Sequence, residues 1–383
     1  MSRLGGSSEL MRGRAVVIHG GGPTAVINAS LAGVVEECRR HSAITGLYGA
    51  VKGDLVDLFA QDPAIWERVS LSPGSVLGSS RKKLEEQDYV EMVRVFQEHD
   101  VGFVFLNGGN GTMETASRLS RDLQVIGIPK TIDNDLAGTD HTPGYGSAAR
   151  FFAHALRDIG ADNRALPGVS VVEVLGRNVG WLAAATSLAR HRSGDAPHLI
   201  YFPERALPLD RLFADVERVY RKQGRCVIAV CEGQLDETGQ PFGADVRTSS
   251  RAPLALNLAH VLAQRISAAL KISARSEKPG LLGRSCAALA SAVDREEARM
   301  CGAAAVRAAV AQESGKMVTL IRAPGSQYEC STGLVDLAEV AGRERPFPAY
   351  WIPDSADCDL PLFRAWAGPL IGTVEPLALL DQQ

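Results

Sequence analysis

Residues Gly127–Asp135 (GIPKTIDND) bring together chemistry that a turn alone does not require. An apolar run ends at Pro129, followed by Lys130 and Thr131, and then by Asp133 and Asp135 two residues apart. In an extended segment such positions share a face, so both carboxylates are expected to enter one crevice beside Lys130. Two neighbouring carboxylates can supply a general base and a magnesium ligand or charge-relay partner. An Asx-rich turn accounts for one of these residues but poorly for the whole lysine–threonine–aspartate run.

Three glycine-rich loops supply the matching anion chemistry. His19–Thr24 (HGGGPT) and Leu106–Thr112 (LNGGNGT) each follow a strand-like run and open a helix. Backbone N–H groups and a helix N-terminus can therefore face a phosphate there. Thr112 is expected to cap its helix or touch a phosphate oxygen. The third loop, Leu77–Lys83 (LGSSRKK), places three cations after small residues, and Arg81 can make bidentate contacts. Lys82 and Lys83 also read as a solvated basic patch. Any one such loop is equally well a ligand-free turn, but their combination is harder to explain that way.

These motifs resemble the phosphofructokinase family, in particular its pyrophosphate-dependent and mixed branches. The resemblance rests on Gly20–Ser30 (GGGPTAVINAS), Gly78–Arg81 (GSSR), Gly108–Thr112 (GGNGT) and Pro129–Asp135 (PKTIDND). Thr139–Ala149 (TDHTPGYGSAA), Val172–Trp181 (VEVLGRNVGW), Cys231–Gly233 (CEG) and Arg275–Arg284 (RSEKPGLLGR) carry it along nearly the whole chain. The resemblance implies phosphoryl transfer to the 1-hydroxyl of fructose 6-phosphate or a similar sugar phosphate. Asp133 is then the base, supported by Asp135, with Arg81, Arg177 and Thr131 completing the catalytic set. Gly21, Gly22, Gly109, Gly111, Thr112 and Lys130 would hold the donor phosphates. Glu232, Gly176, Arg275 and Arg284 would hold the sugar phosphate, one of the two arginines serving a neighbouring subunit. Mg2+ would be met by Asn110 and Asp135, and the chain would form a homodimer or homotetramer.

Departures from the family pattern bear on both substrates. Gly111 stands where pyrophosphate users carry an aspartate that blocks the α-phosphate of ATP. It therefore points to ATP, while Lys130 is compatible with either donor. Asn110 replaces a charged magnesium ligand. Gly168 and Leu281 stand where an arginine and a histidine are expected near the acceptor phosphate. Losing one charged donor to a phosphate costs about 1.5–3 kcal/mol. Four alternatives stay open, the NAD-kinase-like one because that family also uses a GGDGT-type loop. They are a pyrophosphate-dependent phosphotransferase, a kinase of another sugar or a cyclitol, a catalytically weak sugar-phosphate-binding regulatory paralogue, and an NAD-kinase-like enzyme. The PKTIDND run weighs against the last, and retention of Asp133, Asp135, Arg81 and Arg177 weighs against the paralogue.

The elements that must position these residues read as an α/β chain. Strands are expected at Arg14–His19, Val101–Leu106, Leu123–Ile128, Val169–Val174, Arg225–Cys231 and Met317–Ile321. Helices are expected at 25–40, from near Thr112, at 251–273 and at 294–312. Such repetition predicts two Rossmann-like lobes with mainly parallel sheets flanked by helices, and an active site in the cleft between them. The expected division is a flexible tail at 1–13, a phosphate-donor lobe at 14–145 plus about 285–340, and a sugar-phosphate lobe at 146–284 plus about 341–383. With 383 residues, 45% hydrophobic and 22% charged, the chain is ordinary for a globular protein. Its net charge of −3 argues against nucleic-acid or membrane-surface partners. No apolar run approaches a membrane span, and Met1–Arg14 lacks a secretory core. Seven scattered cysteines without a C-x-x-C pair point to reduced thiols in the cytoplasm.

Overall fold

The computed structural model describes residues 13–51, 54–242, 257–356 and 359–380. The chain divides into two compact units. The first comprises residues 1–131, 136–143 and 295–344; the second comprises 132–135, 144–294 and 345–383. The expected tail lies outside the described residues except Gly13, which opens the first strand and donates its N–H to the Ala43 carbonyl at 3.1 Å. The stretch 285–294, expected in the first lobe, packs with the second unit. There Ser291 Oγ donates to the Leu370 carbonyl, and the Asp294 carboxylate accepts the N–H groups of Gly144 and Ser147.

In the first unit the strands are β1 (Gly13–His19), β2 (Ile44–Val51), β3 (Asp54–Asp57), β4 (Val101–Gly108) and β5 (Val125–Pro129). In the second they are β6 (Val169–Val174), β7 (Leu199–Tyr201), β8 (Cys226–Cys231) and β9 (Ala274–Glu277). The chain then returns to the first unit for β10 (Lys316–Arg322) and β11 (Cys330–Asp336). The first sheet runs β11-β10-β5-β4-β1-β2-β3, parallel through its centre, with antiparallel edges at β3 and β11. The second runs β7-β8-β6-β9 and is parallel throughout.

Sheets covered on both faces need strands apolar on both sides, and the central strands meet that condition. Ala15, Val17, Phe103, Phe105, Ile126 and Ile128 enter one core cluster. The intervening Val16, Val104, Leu106 and Val125 enter another on the opposite face. The second unit has its own core from Val169, Val171, Ile228 and Val230, closed by Leu258, Leu262 and Ile266. The helical expectations become helices Ile27–Cys38, Asn110–Leu119, Leu258–Leu270 and Ala292–Val310. Residues 251–256 of the third expectation lie outside the described residues. Among the described residues no helix is long and apolar enough to cross a membrane.

Candidate active site

In the first unit the glycine loops converge at the carboxyl ends of β1, β4 and β5. Register pairs His19 with Asn107, and Gly20 N–H donates to the Asn107 carbonyl at 2.9 Å. Gly21 N–H donates to the Ser80 carbonyl at 3.0 Å, while Ser79 Oγ donates to the Gly21 carbonyl at 2.6 Å. The GSS loop is thereby bound to the first glycine loop, leaving Arg81 exposed at its end. Lys82 turns away to Asp88 at 2.6 Å, as a solvated patch residue does.

Lys130 is buried, and its ammonium donates to the carbonyls of Gly20 at 2.9 Å and Gly22 at 2.7 Å. Its own N–H donates to the Gly108 carbonyl at 3.0 Å. One side chain thus joins the PKT segment to the first glycine loop, and its backbone joins the second. The positive charge also acts on His19, which burial and then Lys130 hold down at about 3. His19 remains a neutral imidazole, with Nδ1 2.7 Å from Ser75 Oγ.

The helix that follows the second loop starts at Asn110, with Gly109 as N-cap. Its first amides, at Asn110 and Gly111, stand at the positive end of the helix dipole. Thr112 does not cap the helix through its side chain, contrary to expectation. Its hydroxyl is instead packed against Gly20 and Gly108, where an added Cβ on either glycine would collide with it. Close approach of the two loops is what requires glycine there. Thr131 is also buried, and its carbonyl accepts Thr142 Oγ1 at 3.0 Å. Asn107 was missed by the sequence reading. Its side-chain atoms are buried at the end of β4 with no protein hydrogen-bond partner among the described residues.

In the second unit the two carboxylates do not sit on an extended segment. Asn134 between them takes a left-handed conformation with φ 58°, so the run is a bend rather than a pleat. Asparagine tolerates that conformation, and the Asx component of the motif provides the turn. Asp133 and Asp135 are both half-buried. Asp133 Oδ2 lies 4.0 Å from Arg177 Nε. Asp135 is held through its backbone, its carbonyl accepting Arg345 N–H at 2.8 Å. Arg345 was also missed; its guanidinium lies 4.3 Å from the Trp181 ring centre, and its carbonyl accepts Trp181 Nε1–H at 3.3 Å.

Gly176 and Arg177 form the loop after β6, and Glu232 and Gly233 follow β8 beside it. Glu232 Oε1 accepts Arg177 N–H at 3.3 Å, and Cys231 Sγ donates to the Arg177 carbonyl at 3.2 Å. A Cβ on Gly233 would run into that same carbonyl, so the two loops interlock only with glycine there. Burial pushes the Glu232 carboxyl above its ordinary range, against the lowering effect of the Arg177 N–H.

The two remaining arginines are placed differently. Arg275 pairs in register with Ser170, near the amino end of β6, and bonds Asp162 at 3.2 Å and the Leu166 carbonyl at 3.3 Å. The loop holding Arg177 leaves the opposite end of β6, so one chain does not bring Arg275 to it. Arg284 lies in the short helix Leu282–Ser285, which packs on helix Tyr145–Ala165 where Gly283 meets Phe152. Leu281 just before it is 65% exposed. Glu173 and Lys278 went unrecognised as a pair. Glu173, buried within β6, meets Lys278 Nζ at 2.6 Å, and the signal was a carboxylate inside an apolar strand.

Comparison with known proteins places the chain in a family. The phosphofructokinase family pattern matches residues 14–309. The chain is 36% identical over 390 residues to a pyrophosphate–fructose 6-phosphate 1-phosphotransferase of Rhodospirillum rubrum, covering 96% of each chain. It is 32% identical to a sulfofructose kinase of Alkalicoccus urumqiensis, covering 89% of this chain and 92% of that one. The crystal structure of a pyrophosphate-dependent phosphofructokinase from Marinobacter aquaeolei matches with a TM-score of 0.85 at 32% identity, over 96% of this chain and 94% of the other. The chain belongs to the phosphofructokinase family.

Proposed function

We propose that the chain transfers a phosphoryl group to the 1-hydroxyl of fructose 6-phosphate or a close analogue with an anionic 6-substituent. The observation that carries this is the Asp133–Arg177–Glu232 arrangement in the second unit. A carboxylate sits beside a guanidinium, and a second carboxylate holds that arginine's backbone. Asp133 takes the proton of the attacking hydroxyl. Arg177 cancels charge on the transferred group, and Glu232 orients the sugar hydroxyls. Phosphoryl transfer depends mainly on such positioning and charge cancellation.

The knitted loops of the first unit suit the donor. Arg81, Lys130 and the amides at Asn110 and Gly111 meet its phosphates. The donor is ATP on the ground of Gly111, which leaves room for an α-phosphate. Pyrophosphate is the second reading, favoured by the Rhodospirillum and Marinobacter relatives. The half-buried carboxylates Asp133 and Asp135 form an oxygen-only donor set, which suits Mg2+. Asp135 would hold the ion, and Asn110, at a helix N-terminus, is better suited to an anion. Bound Mg2+ would supply neutralisation of donor phosphate charge. Arg275 serves the acceptor of a neighbouring copy, so a homo-oligomer is part of the proposal. A matrix of ATP and pyrophosphate against fructose 6-phosphate, sulfofructose, unphosphorylated sugars and polyols tests it. Turnover confined to sugars without a 6-anion would overturn it.

A further inference from the structure

The TDHTPG motif contains a histidine that the phosphotransfer reading leaves without a task. His141 is buried in the first unit, between the loop holding Asp140, helix Ala292–Val310 and strand β11. Its Nδ1 lies 2.8 Å from Asp140 Oδ1 and its Nε2 lies 2.7 Å from Glu297 Oε2. Glu297 is itself buried, and its other oxygen accepts the Tyr328 hydroxyl. Cys330 completes the group: one ligand atom each from His141, Glu297 and Cys330 lie within 4.8 Å of one another. Arg322 closes the far side, 3.3 Å from Asp140 and stacked on the Tyr328 ring at 4.8 Å.

A neutral imidazole cannot satisfy both carboxylates. With Nδ1–H given to Asp140, Nε2 presents a lone pair to the Glu297 oxygen, and two acceptors at that distance need a cation between them. A proton can fill the place, and the bonds to Asp140 and Glu297 do raise the His141 pKa against the lowering effect of burial. A bridging proton, however, leaves the Cys330 sulfur with a long bond to the Ser331 carbonyl at 3.7 Å, beside the His141 and Glu297 atoms. A metal ion uses all three atoms.

We propose that His141 Nε2, Glu297 Oε2 and Cys330 Sγ form a binding site for a zinc ion, with Asp140 fixing the imidazole tautomer. Imidazole, carboxylate and thiolate together match zinc in ligand type. At tetrahedral zinc with bonds of about 2.0–2.3 Å, ligand atoms sit about 3.3–3.8 Å apart, so small side-chain shifts suffice. An aspartate behind the ligating histidine is the usual outer partner of such a site. Tyr328 Oη, 3.5 Å from His141 Nε2, or a water takes the fourth position. Cys330 is half-exposed and gives the ion a way in. The ion would pin the segment 136–143 to the long helix and to the β10–β11 hairpin within the first unit.

The test uses the full chain stripped with a chelator and titrated with zinc against a chromogenic competitor, and with cobalt as spectroscopic substitute. The expected result is one equivalent of zinc and a thiolate-to-cobalt charge-transfer band. Cys330→Ala and Cys330→Ser should lose the band and weaken zinc binding at least about tenfold. Asp140→Asn should weaken it about 10–100-fold. Cys286→Ala, at the other half-exposed thiol among the described residues, should leave it unchanged. Absence of the band in the parent protein, or equal zinc affinity in both Cys330 variants, overturns the proposal and leaves a proton as the bridging cation.

Discussion

The carboxylate of Glu232 accepts the backbone N–H of Arg177 at 3.3 Å, so the residue proposed to orient the sugar also fixes the loop of the residue proposed to meet the phosphoryl group. Glu232→Gln keeps an acceptor for that N–H and removes the charge. It is expected to raise the KM for the sugar while changing the donor KM little. Burial holds the Glu232 carboxyl above its ordinary range, so the sugar KM of the parent should rise as pH falls into that raised range. The Gln variant should lack this acid limb. Steady-state kinetics across pH, with sugar and donor varied separately, checks both points.

Asp133→Asn is nearly isosteric at a half-buried position, and the fold should be retained. Turnover should fall by about 10²–10⁴-fold, the loss typical of a missing general base. Its Arg177 neighbour at 4.0 Å would remain in place, so ligand binding should weaken far less than turnover. A variant with near-normal kcat removes Asp133 from the base role.

The loops of the candidate site were legible because glycines, a proline and paired aspartates mark them locally. The same locality set the limits of the reading. Asn134 was visible as a turn former, but its left-handed bend replaced the expected pleat between Asp133 and Asp135. The tie of Lys130 to Gly20 and Gly22 spans more than a hundred residues and has no local signature. Arg345 meets Asp135 through its backbone N–H, which every non-proline residue carries, so its identity gave no warning. Strands β1, β4, β5, β6, β8 and β10 were recognised as apolar runs. Strands β2, β7 and β9, and the antiparallel edges β3 and β11, were not, because short or half-exposed strands mix polar residues into the pattern or give too brief a run.

Gly111 carries the proposed choice of donor. Gly111→Asp adds a negative side chain at the start of helix Asn110–Leu119, where the proposed ATP site would hold the α-phosphate. ATP turnover should fall much more than any pyrophosphate turnover, through steric block and charge repulsion. Paired assays of parent and variant with both donors measure the switch. A parent enzyme that uses pyrophosphate well and ignores ATP contradicts the ATP assignment.

His19 makes the fold acid-sensitive. Its pKa is about 3 when folded against the ordinary 6.5, because burial and Lys130 oppose the charged ring. Between those values the unfolded chain binds a proton that the folded chain does not. Stability therefore falls as pH is lowered through this window and is restored as pH rises. His198, held at about 4 by burial and then Arg225, adds a slope of the same sign. His19→Asn should reduce the acid slope of unfolding free energy without abolishing it. Denaturant titrations at several pH values between 4 and 7, about the range over which an ordinary histidine titrates, provide the comparison.

The acceptor prediction rests on Leu281, and the structure determines how it can be tested. Restoring both expected donors at once, as Gly168→Arg with Leu281→His, is not a neutral change. A Cβ on Gly168 would stand 3.2 Å from the Ser273 carbonyl, which already accepts Val169 N–H in the β6–β9 ladder. That carbonyl has little room to move, so a failure of the double variant would mix strain with chemistry. Leu281 has no such constraint, being 65% exposed at the start of a short helix beside Arg284. Leu281→His replaces an apolar surface group with a hydrogen-bond donor and should be tolerated. If the acceptor carries a phosphate near Arg284, the added donor should lower its KM by about tenfold or more, the effect of one hydrogen bond to a charged group. The KM of the phosphoryl donor should not change. An unchanged sugar-phosphate KM, together with faster turnover of an unphosphorylated sugar or polyol by the parent protein, would mean that the pocket has been turned to another acceptor.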